Sequence, residues 1–252
     1  MMDSSAIAQR QAEVWERLGT VADPELDESV TELQFVSRPE VDAGGAVRIA
    51  FRLPTYWCAA NFSFLMADDM RRAVLDLPWV TAVEVVLGEH MYSEKINDGL
   101  ARGLSFQETF GAEADGDLEE LRQSFLVKAF QRRQAALLNH LLVAGWQPEA
   151  IALLPLGALA ALDLGDEGRK LVARYLERRP VVGPARPELR AFIDAEGASL
   201  KAATLRSYTS GLRRVGVNAE FNSALCRGLL SVRFDLETPF VPKHAQAQHL
   251  SP

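Results

Sequence analysis

The apolar residues in the first part of the chain, up to about residue 97, follow two periods that alternate along the sequence. A stretch with helical spacing comes first, followed by a strand candidate, a stretch in which apolar and polar residues alternate cleanly, a second helical stretch and a third short strand. The turn from Asp42 to Gly45 predicts that the first two strands form an antiparallel hairpin. In chain order, the predicted helix, strand, strand, helix and strand occupy residues 6–18, 30–38, 46–53, 59–77 and 82–87.

Beyond residue 117 the apolar spacing is helical almost throughout. The sequence therefore predicts an α+β protein, in which a small α-β-β-α-β domain with a three-stranded sheet is followed by an all-helical C-terminal domain. Glycine and acidic residues between the two parts predict a linker. The predicted boundaries are 1–97 for the first domain, 98–117 for the linker, 118–240 for the helical domain and 241–252 for a polar tail. The helices predicted in the second part span 118–144, 148–154, 167–179, 187–195, 199–215 and 219–229.

The composition of the chain argues against some classes of binding partner. The formal net charge of −7 argues against a general binder of nucleic acid or anionic membranes, because phosphate groups need a positive surface. Only two cysteines are present, Cys58 and Cys226, so a disulfide framework is not expected and the usage fits a reducing cytosol. The most apolar stretch, residues 150–164, is too short to span a bilayer. We therefore expect a cytoplasmic protein without a membrane partner.

The predicted topology brings three loops to one edge of the sheet. A right-handed crossover makes the second and third strands parallel, and the first strand is antiparallel to the second. The segments expected to meet at this edge are residues 23–26, 54–58 and 88–92. Because ligand sites in α/β domains favour such edges, the candidate functional site is expected there.

Cys58 is the leading candidate residue at this edge. It stands just before a predicted helix, whose dipole and free N–H groups favour a thiolate. The thiolate is the form of cysteine that binds metals or attacks electrophiles. The alternative is that Cys58 fills a small apolar gap beside Trp57. Asp23 and Glu25 could supply oxygen ligands or accept the thiol proton, and the alternative for Asp23 is a side-chain cap on its own turn. His90 could add an imidazole ligand or be an ordinary histidine at a strand end.

The other cysteine and the remaining histidines are assigned structural roles. Cys226 lies in an apolar helical segment and is expected to be a buried thiol. His140 lies near a predicted helix C-terminus, where a charged imidazole would meet the helix dipole favourably. His244 and His249 lie too close to the end of the chain for a credible metal site. The sequence contains no P-loop, Rossmann glycine fingerprint, HExxH helix or CxxC pair, which argues against a nucleotide-driven or protease mechanism.

The same segments resemble a known family. The stretch VWERLGTVADPELDESVTELQFV is similar to the opening of the SufT/PaaD-type metal–sulfur cluster assembly domain, and VRIAFRLPTYWC is similar to the segment that carries the family's cysteine. The resemblance implies the family's fold and a role in maturing iron–sulfur or other metal proteins, with iron or an iron–sulfur cluster held transiently. By motif position it implies Cys58 as the metal or cluster residue, with Asp23 and Glu25 as the matching acidic residues. The chain departs from the family pattern at Tyr56 and Trp57, which are bulky where the family has small residues.

Three functions stay open at this point. The first is an assembly or maturation factor that transfers a metal or cluster intermediate to a client metalloenzyme, for instance a di-iron monooxygenase. One thiolate ligand holds a metal ion weakly. Tight binding of the metal would therefore need a homodimer that pairs two Cys58 residues, or a ligand from the client or another assembly protein. The second is a client-specific chaperone without metal, anchored through Tyr56 and Trp57. The third, an enzyme with Cys58 as nucleophile and His90 as base, ranks last because no oxyanion motif is visible.

Overall fold

The computed structural model describes residues 4–114 and 116–236, with the backbone alone at residues 4 and 213–220. The chain forms two compact units, one built from residues up to Leu118 and again from Phe221 onward, the other from Glu119 to Glu220. The predicted tail at 241–252, with His244 and His249, lies outside the described residues. The elements are α1 Ser4–Leu18, β1 Glu40–Val41, β2 Ala46–Phe51, α2 Ala60–Leu75, β3 Ala82–Leu87, α3 Ser93–Ala101, α4 Phe106–Phe110, α5 Leu118–Val143, α6 Pro148–Leu153, α7 Gly165–Arg178 and α8 Ala202–Phe234.

The first unit is built on a three-stranded sheet in the order β1-β2-β3. β1 and β2 are antiparallel, and Asp42 closes their turn by accepting the N–H of Ala46 on Oδ1 at 2.8 Å. Gly45 in this turn has a φ of +88°, a conformation that glycine adopts without strain. β2 and β3 are parallel, with α2 as the crossover between them. The predicted α-β-β-α-β order and three-stranded sheet are therefore confirmed.

The strand predicted at residues 30–38 is wrong. This stretch is a series of turns that pairs with the sheet at a bridge between Val36 and Phe51, and the first strand is the shorter β1. Gln34 has a φ of +58°, which interrupts an extended backbone. Because the backbone folds back at this point, the apolar side chains of the stretch all enter the core instead of alternating between two faces.

The stretch predicted as a linker, residues 98–117, includes the end of α3 and the whole of α4. A capping box opens α4: Ser105 Oγ accepts the N–H of Glu108, and the Glu108 carboxylate accepts the N–H of Ser105 at 2.8 Å. Phe106 and Phe110 are buried in the first unit with their ring centroids 4.7 Å apart. This stretch is therefore packed against the core of the first unit.

The second unit is helical, with the middle of α5 at its core. The helix predicted at residues 187–195 is wrong, and the segment there is irregular. The buried side chain of Arg179 holds this irregular segment in place. Its Nε donates to the Ala191 carbonyl oxygen at 3.1 Å, and its Nη2 donates to the Arg190 carbonyl oxygen at 3.3 Å. The Tyr175 hydroxyl donates to the same Ala191 oxygen at 2.6 Å. Side chains therefore bind carbonyl groups that helical N–H groups would otherwise have taken.

The last described helix, α8, belongs to both units. The sequence predicts two helices there, separated near Gly216, but the backbone continues as one helix because a single glycine costs a helix only about 1 kcal/mol. From Phe221 onward α8 belongs to the first unit, where Leu230 is buried in the core. No helix in the described part of the chain is both long enough and apolar enough to cross a membrane.

Candidate functional site

The loops that follow β2 and β3 lie against each other at one edge of the sheet. The N–H of Met91, after β3, donates to the carbonyl oxygen of Tyr56, after β2, at 2.9 Å. His90 Nε2 lies 2.8 Å from the carbonyl oxygen of Cys58. Two of the three segments expected at this edge are therefore held together by direct hydrogen bonds.

Cys58 lies two residues before the first residue of α2 and is half-buried. Its Sγ is 3.1 Å from Oγ1 of Thr55, and either atom can donate in this contact. When the sulfur is a thiolate it can only accept, so the Thr55 hydroxyl then stabilises the anion. The N-cap residue of α2, Ala59, has no side-chain acceptor, so the positive end of the helix dipole next to Cys58 lacks a side-chain cap.

His90 is buried, with 3% of its surface exposed, and both of its ring nitrogens bind backbone groups. Nδ1 accepts the N–H of Tyr92 at 3.2 Å, so Nε2 carries the proton that it donates to the Cys58 carbonyl oxygen. Burial holds the pKa of His90 below its ordinary value, with a smaller lowering from the charge of Arg233. A neutral ring with both nitrogens engaged positions the backbone of Cys58 and has no lone pair left for a metal or for the thiol proton.

Asp23 caps its own turn from a buried position. Its Oδ1 accepts the N–H groups of Glu25 at 2.9 Å and Leu26 at 2.8 Å. Burial raises the pKa of Asp23 to about 6, outweighing these two hydrogen bonds, which lower it. The carboxyl therefore changes charge close to neutral pH.

The C-terminal half of α8 is attached to the loop that carries Asp23. Asn222 Nδ2 donates to Glu25 Oε1 at 3.0 Å. Arg227 forms an ion pair with Glu28, and its Nη1 donates to the carbonyl oxygen of Glu32 at 2.6 Å. These contacts fix about one turn of α8 over residues 25–32.

One turn and a half further along α8, Arg233 reaches the other two loops. Its Nη1 donates to the carbonyl oxygen of Leu53 at 3.1 Å, and its Nη2 to that of Glu89 at 2.7 Å. α8 therefore contacts two of the segments expected at the sheet edge, 23–26 and 88–92, and Leu53, the residue just before the third. Sequence reasoning missed Asn222, Arg227 and Arg233, because contacts across more than a hundred residues leave no local pattern.

Cys226 lies on this docked part of α8. It is half-buried and packs against the same apolar core as Cys58. Burial raises the pKa of the Cys226 thiol to about 12, and the negative charges of Asp23, Cys58, Glu25 and Glu28 add to this effect in that order. Asp23, Cys58, Glu25 and Glu28 therefore lie near enough to Cys226 to oppose a negative charge on its sulfur. The sequence offered one signal for this, which is that the chain has only these two cysteines.

Apolar side chains are exposed beside Cys58. Trp57 has 71% of its surface exposed and Tyr56 53%. Met91, whose N–H binds the Tyr56 carbonyl oxygen, is also exposed. The loop that carries the thiol therefore also presents two aromatic rings to solvent.

The described residues do not form a complete metal cage. In the part of the chain that the structure describes, no group of three or more His, Cys, Asp and Glu residues is arranged to hold a metal ion. Stable tetrahedral sites use four ligands. An iron ion held at Cys58 would therefore need further ligands from a client, another protein or a second copy of the chain.

Residues 11–85 match the family model described as "Iron-sulfur cluster assembly protein". The matched segment runs from α1 into β3 and includes Asp23, Glu25 and Cys58, whereas His90 and α8 lie beyond it. No curated protein matches the chain. The match confirms the resemblance noted in the sequence and supports a role in iron–sulfur cluster assembly.

Proposed function

We propose that this chain, whose residues 11–85 form an iron–sulfur cluster assembly domain, binds an iron or iron–sulfur intermediate through Cys58 and transfers it to a client metalloenzyme. The observation that carries the proposal is the presentation of the Cys58 thiol within that domain. Its sulfur contacts the Thr55 hydroxyl, and its carbonyl oxygen is anchored by the buried His90. Both cysteines are free thiols, which fits action in a reducing cytoplasm.

Cys58 would act as a thiolate toward the iron of its cargo. The thiol proton must leave as the sulfur–iron bond forms, so binding should strengthen as pH rises. The Thr55 hydroxyl, which can donate to the thiolate, lowers the cost of that step. A small set of protein ligands favours transfer over storage, because the client can replace them one at a time.

Tyr56 and Trp57 are the proposed docking residues for the client. Exposed aromatic side chains anchor protein interfaces, and these two lie directly before the thiol in the sequence. A client bound there would have its metal site next to Cys58. The same exposure favours a second candidate function, a chaperone that binds a client without passing metal to it.

Variants in a strain that lacks the native copy separate these two functions. The readout is the iron bound by the metalloproteins that lose iron in that strain. Transfer through Cys58 predicts that Cys58→Ser fails to restore this iron although the protein accumulates normally. A chaperone predicts that Cys58→Ser restores the iron and that Trp57→Ala does not.

Leu153→Ala is the matched control for Trp57→Ala, because Leu153 is a similarly exposed apolar residue of the second unit. Both proposed functions predict that it behaves as wild type. Full restoration of client iron by both Cys58→Ser and Trp57→Ala would contradict both functions.

A further inference from the structure

The second unit contains a cavity of about 610 Å³ along the irregular segment that follows α7. This volume lies within the range of small-molecule sites, which is roughly 300–1,000 Å³. Every residue that lines the cavity lies between Arg179 and Ser199, so it belongs to the second unit alone. The cavity is therefore separate from the loop that presents Cys58.

Arg179 brings a buried positive charge to the wall of this cavity. Its side chain is 2% exposed, and its hydrogen bonds go to the neutral carbonyl oxygens of Gly183, Arg190 and Ala191. The neighbouring Tyr175 adds no negative charge, because burial raises the pKa of its hydroxyl above the ordinary value. Among the residues that the structure describes, no carboxylate pairs with Arg179.

An anion in the cavity would neutralise this charge. A guanidinium group cannot lose its proton in a protein, and a buried charge is costly unless it is paired. Three carbonyl dipoles offset part of that cost but leave the positive charge in place. The hydrogen bonds from Nη1 to Gly183 and from Nη2 to Arg190 are long, at 3.3 Å each, so a carboxylate can compete for these donors.

There is room for a ligand atom beside the guanidinium. A methyl group on the Cα of Gly183 would stand 4.0 Å from Nη1 of Arg179 and 3.7 Å from Cδ1 of Ile193, which are ordinary van der Waals distances. Glycine leaves this space open, and all three residues line the cavity. An anion placed there would contact both the guanidinium and an apolar side chain.

The rest of the cavity wall favours an apolar ligand body. Val182, Leu189 and Ile193 line the cavity with aliphatic side chains. A ligand that carries a short hydrocarbon part next to its charged group would remove this surface from water.

The other charged residues of the wall favour an anion with a single charge. Glu188 and Glu196 line the cavity and are exposed, so their carboxylates repel a doubly charged ligand such as a phosphate ester. Arg190 also lines the cavity, and its guanidinium donates to the carbonyl oxygen of Leu153. A planar carboxylate matches the donor geometry of Arg179 and carries only one charge.

We propose that this cavity binds a monocarboxylate with an apolar body, whose carboxylate pairs with Arg179. Two sources supply this chemistry, which are a free carboxylic acid and the C-terminus of a peptide. The site lies in the second unit, so the proposal does not depend on the role of Cys58.

Calorimetric titration of the full-length protein tests the carboxylate and distinguishes its source. The probes are hexanoate and the peptide acetyl-Ala-Ala-Leu with a free C-terminus, and each is compared with its own amide. We expect at least one acid to bind about ten-fold or more tightly than its amide, because the amide lacks the charge that pairs with Arg179. The tighter acid identifies the source. No binding of either acid, or equal binding of acid and amide, would overturn the proposal.

Variants of the cavity wall test the assigned charges. Arg179→Gln should abolish binding of the acid. Glu196→Gln removes an exposed negative charge and should strengthen binding about two-fold. Glu149→Gln is its matched control, because Glu149 is an exposed acidic residue of the same unit outside the cavity, and it should bind as wild type. Wild-type affinity in a folded Arg179→Gln protein would contradict the site.

Backbone amide chemical shifts locate the site in the wild-type protein, so the test does not depend on the folding of Arg179→Gln. Adding the tighter acid should shift amide signals mainly between residues 179 and 199, and the amide form of the same probe should not. Shifts centred on another part of the chain would overturn the proposal.

Discussion

The carbonyl oxygen of Cys58 lies 2.8 Å from Nε2 of His90, so a buried imidazole after β3 anchors the residue that presents the thiol. The other ring nitrogen accepts the N–H of Tyr92. Replacing His90 by Leu leaves both backbone groups without this partner. We expect the free energy of unfolding to fall by about 1–3 kcal/mol, measured by urea denaturation. Met91→Gln, at the exposed next residue, should change it by no more than about 0.5 kcal/mol.

The pH dependence of stability gives His90 a second signature. Burial holds its pKa below the ordinary value of 6.5, so the folded protein prefers the neutral ring. The stabilisation is therefore complete above pH 6.5 and is lost as the pH falls through the folded-state pKa. This part of the pH profile should be absent from His90→Leu. An identical slope in the variant and the wild type would contradict the assignment.

The contribution of Asp23 to stability should depend on pH in the opposite direction to that of His90. Its pKa is raised from 3.8 to about 6, so the folded state keeps a proton that the unfolded state has already lost. Stability should fall by about 3 kcal/mol as the pH rises through this interval. Asp23→Asn keeps an oxygen for the N–H groups of Glu25 and Leu26 and removes the charge. The variant should match the wild type near pH 3.8 and exceed it in stability at pH 7, measured by urea denaturation across the series.

A gain in stability that is equal at every pH would show that the Asp23→Asn effect comes from packing. Titration of the buried carboxyl would then not be its cause.

Thr55 should control the reactivity of Cys58. Its hydroxyl lies 3.1 Å from Cys58 Sγ and can donate to the thiolate. In a Cys226→Ser background, which leaves one thiol, Thr55→Val should slow alkylation by iodoacetamide several-fold at pH 7, because the anion loses its donor. Thr55→Ser keeps a hydroxyl and should react at close to the original rate. Equal rates in the Val and Ser variants would show that the contact has no effect on the thiolate.

Arg233 should hold α8 on the first unit. Its guanidinium donates to the carbonyl oxygens of Leu53 and Glu89, and it pairs with the Glu89 carboxylate. Arg233→Ala removes these bonds, so we expect the free energy of unfolding to fall by about 1–3 kcal/mol. Hydrogen exchange of α8 beyond Phe221 and alkylation of Cys226 should both accelerate. The neighbouring Val232 is exposed, and Val232→Ala should change neither rate. Unchanged hydrogen exchange of α8 in Arg233→Ala would contradict the role of Arg233 in holding the helix on the first unit.

Local patterns predicted much of the first unit. The alternation at residues 46–51, the turn from Asp42 to Gly45 and the helical spacing before Pro78 each depend on neighbours in sequence. The crossover rule then gave the parallel pairing of β2 and β3. The motif around Cys58 predicted that the N-terminal part of the chain resembles the cluster assembly family, which the match over residues 11–85 confirms.

Long-range packing could not be predicted in the same way. The hydrogen bond between Asn222 and Glu25 spans 197 positions, and the apolar spacing of a helix does not say which surface it will cover. The second unit gives another case, because Arg179 is buried although arginine usually lies at the surface. Its hydrogen bonds to backbone carbonyl groups replace the helix that the spacing at 187–195 predicts.

The most direct test of the account is the iron and acid-labile sulfide bound after anaerobic reconstitution with ferrous iron and sulfide, in wild type and in Cys58→Ser. We predict that the wild type retains iron after desalting and that Cys58→Ser loses most of it while its circular dichroism is unchanged. Equal iron and sulfide in the two proteins, or none in either, would contradict iron binding through Cys58.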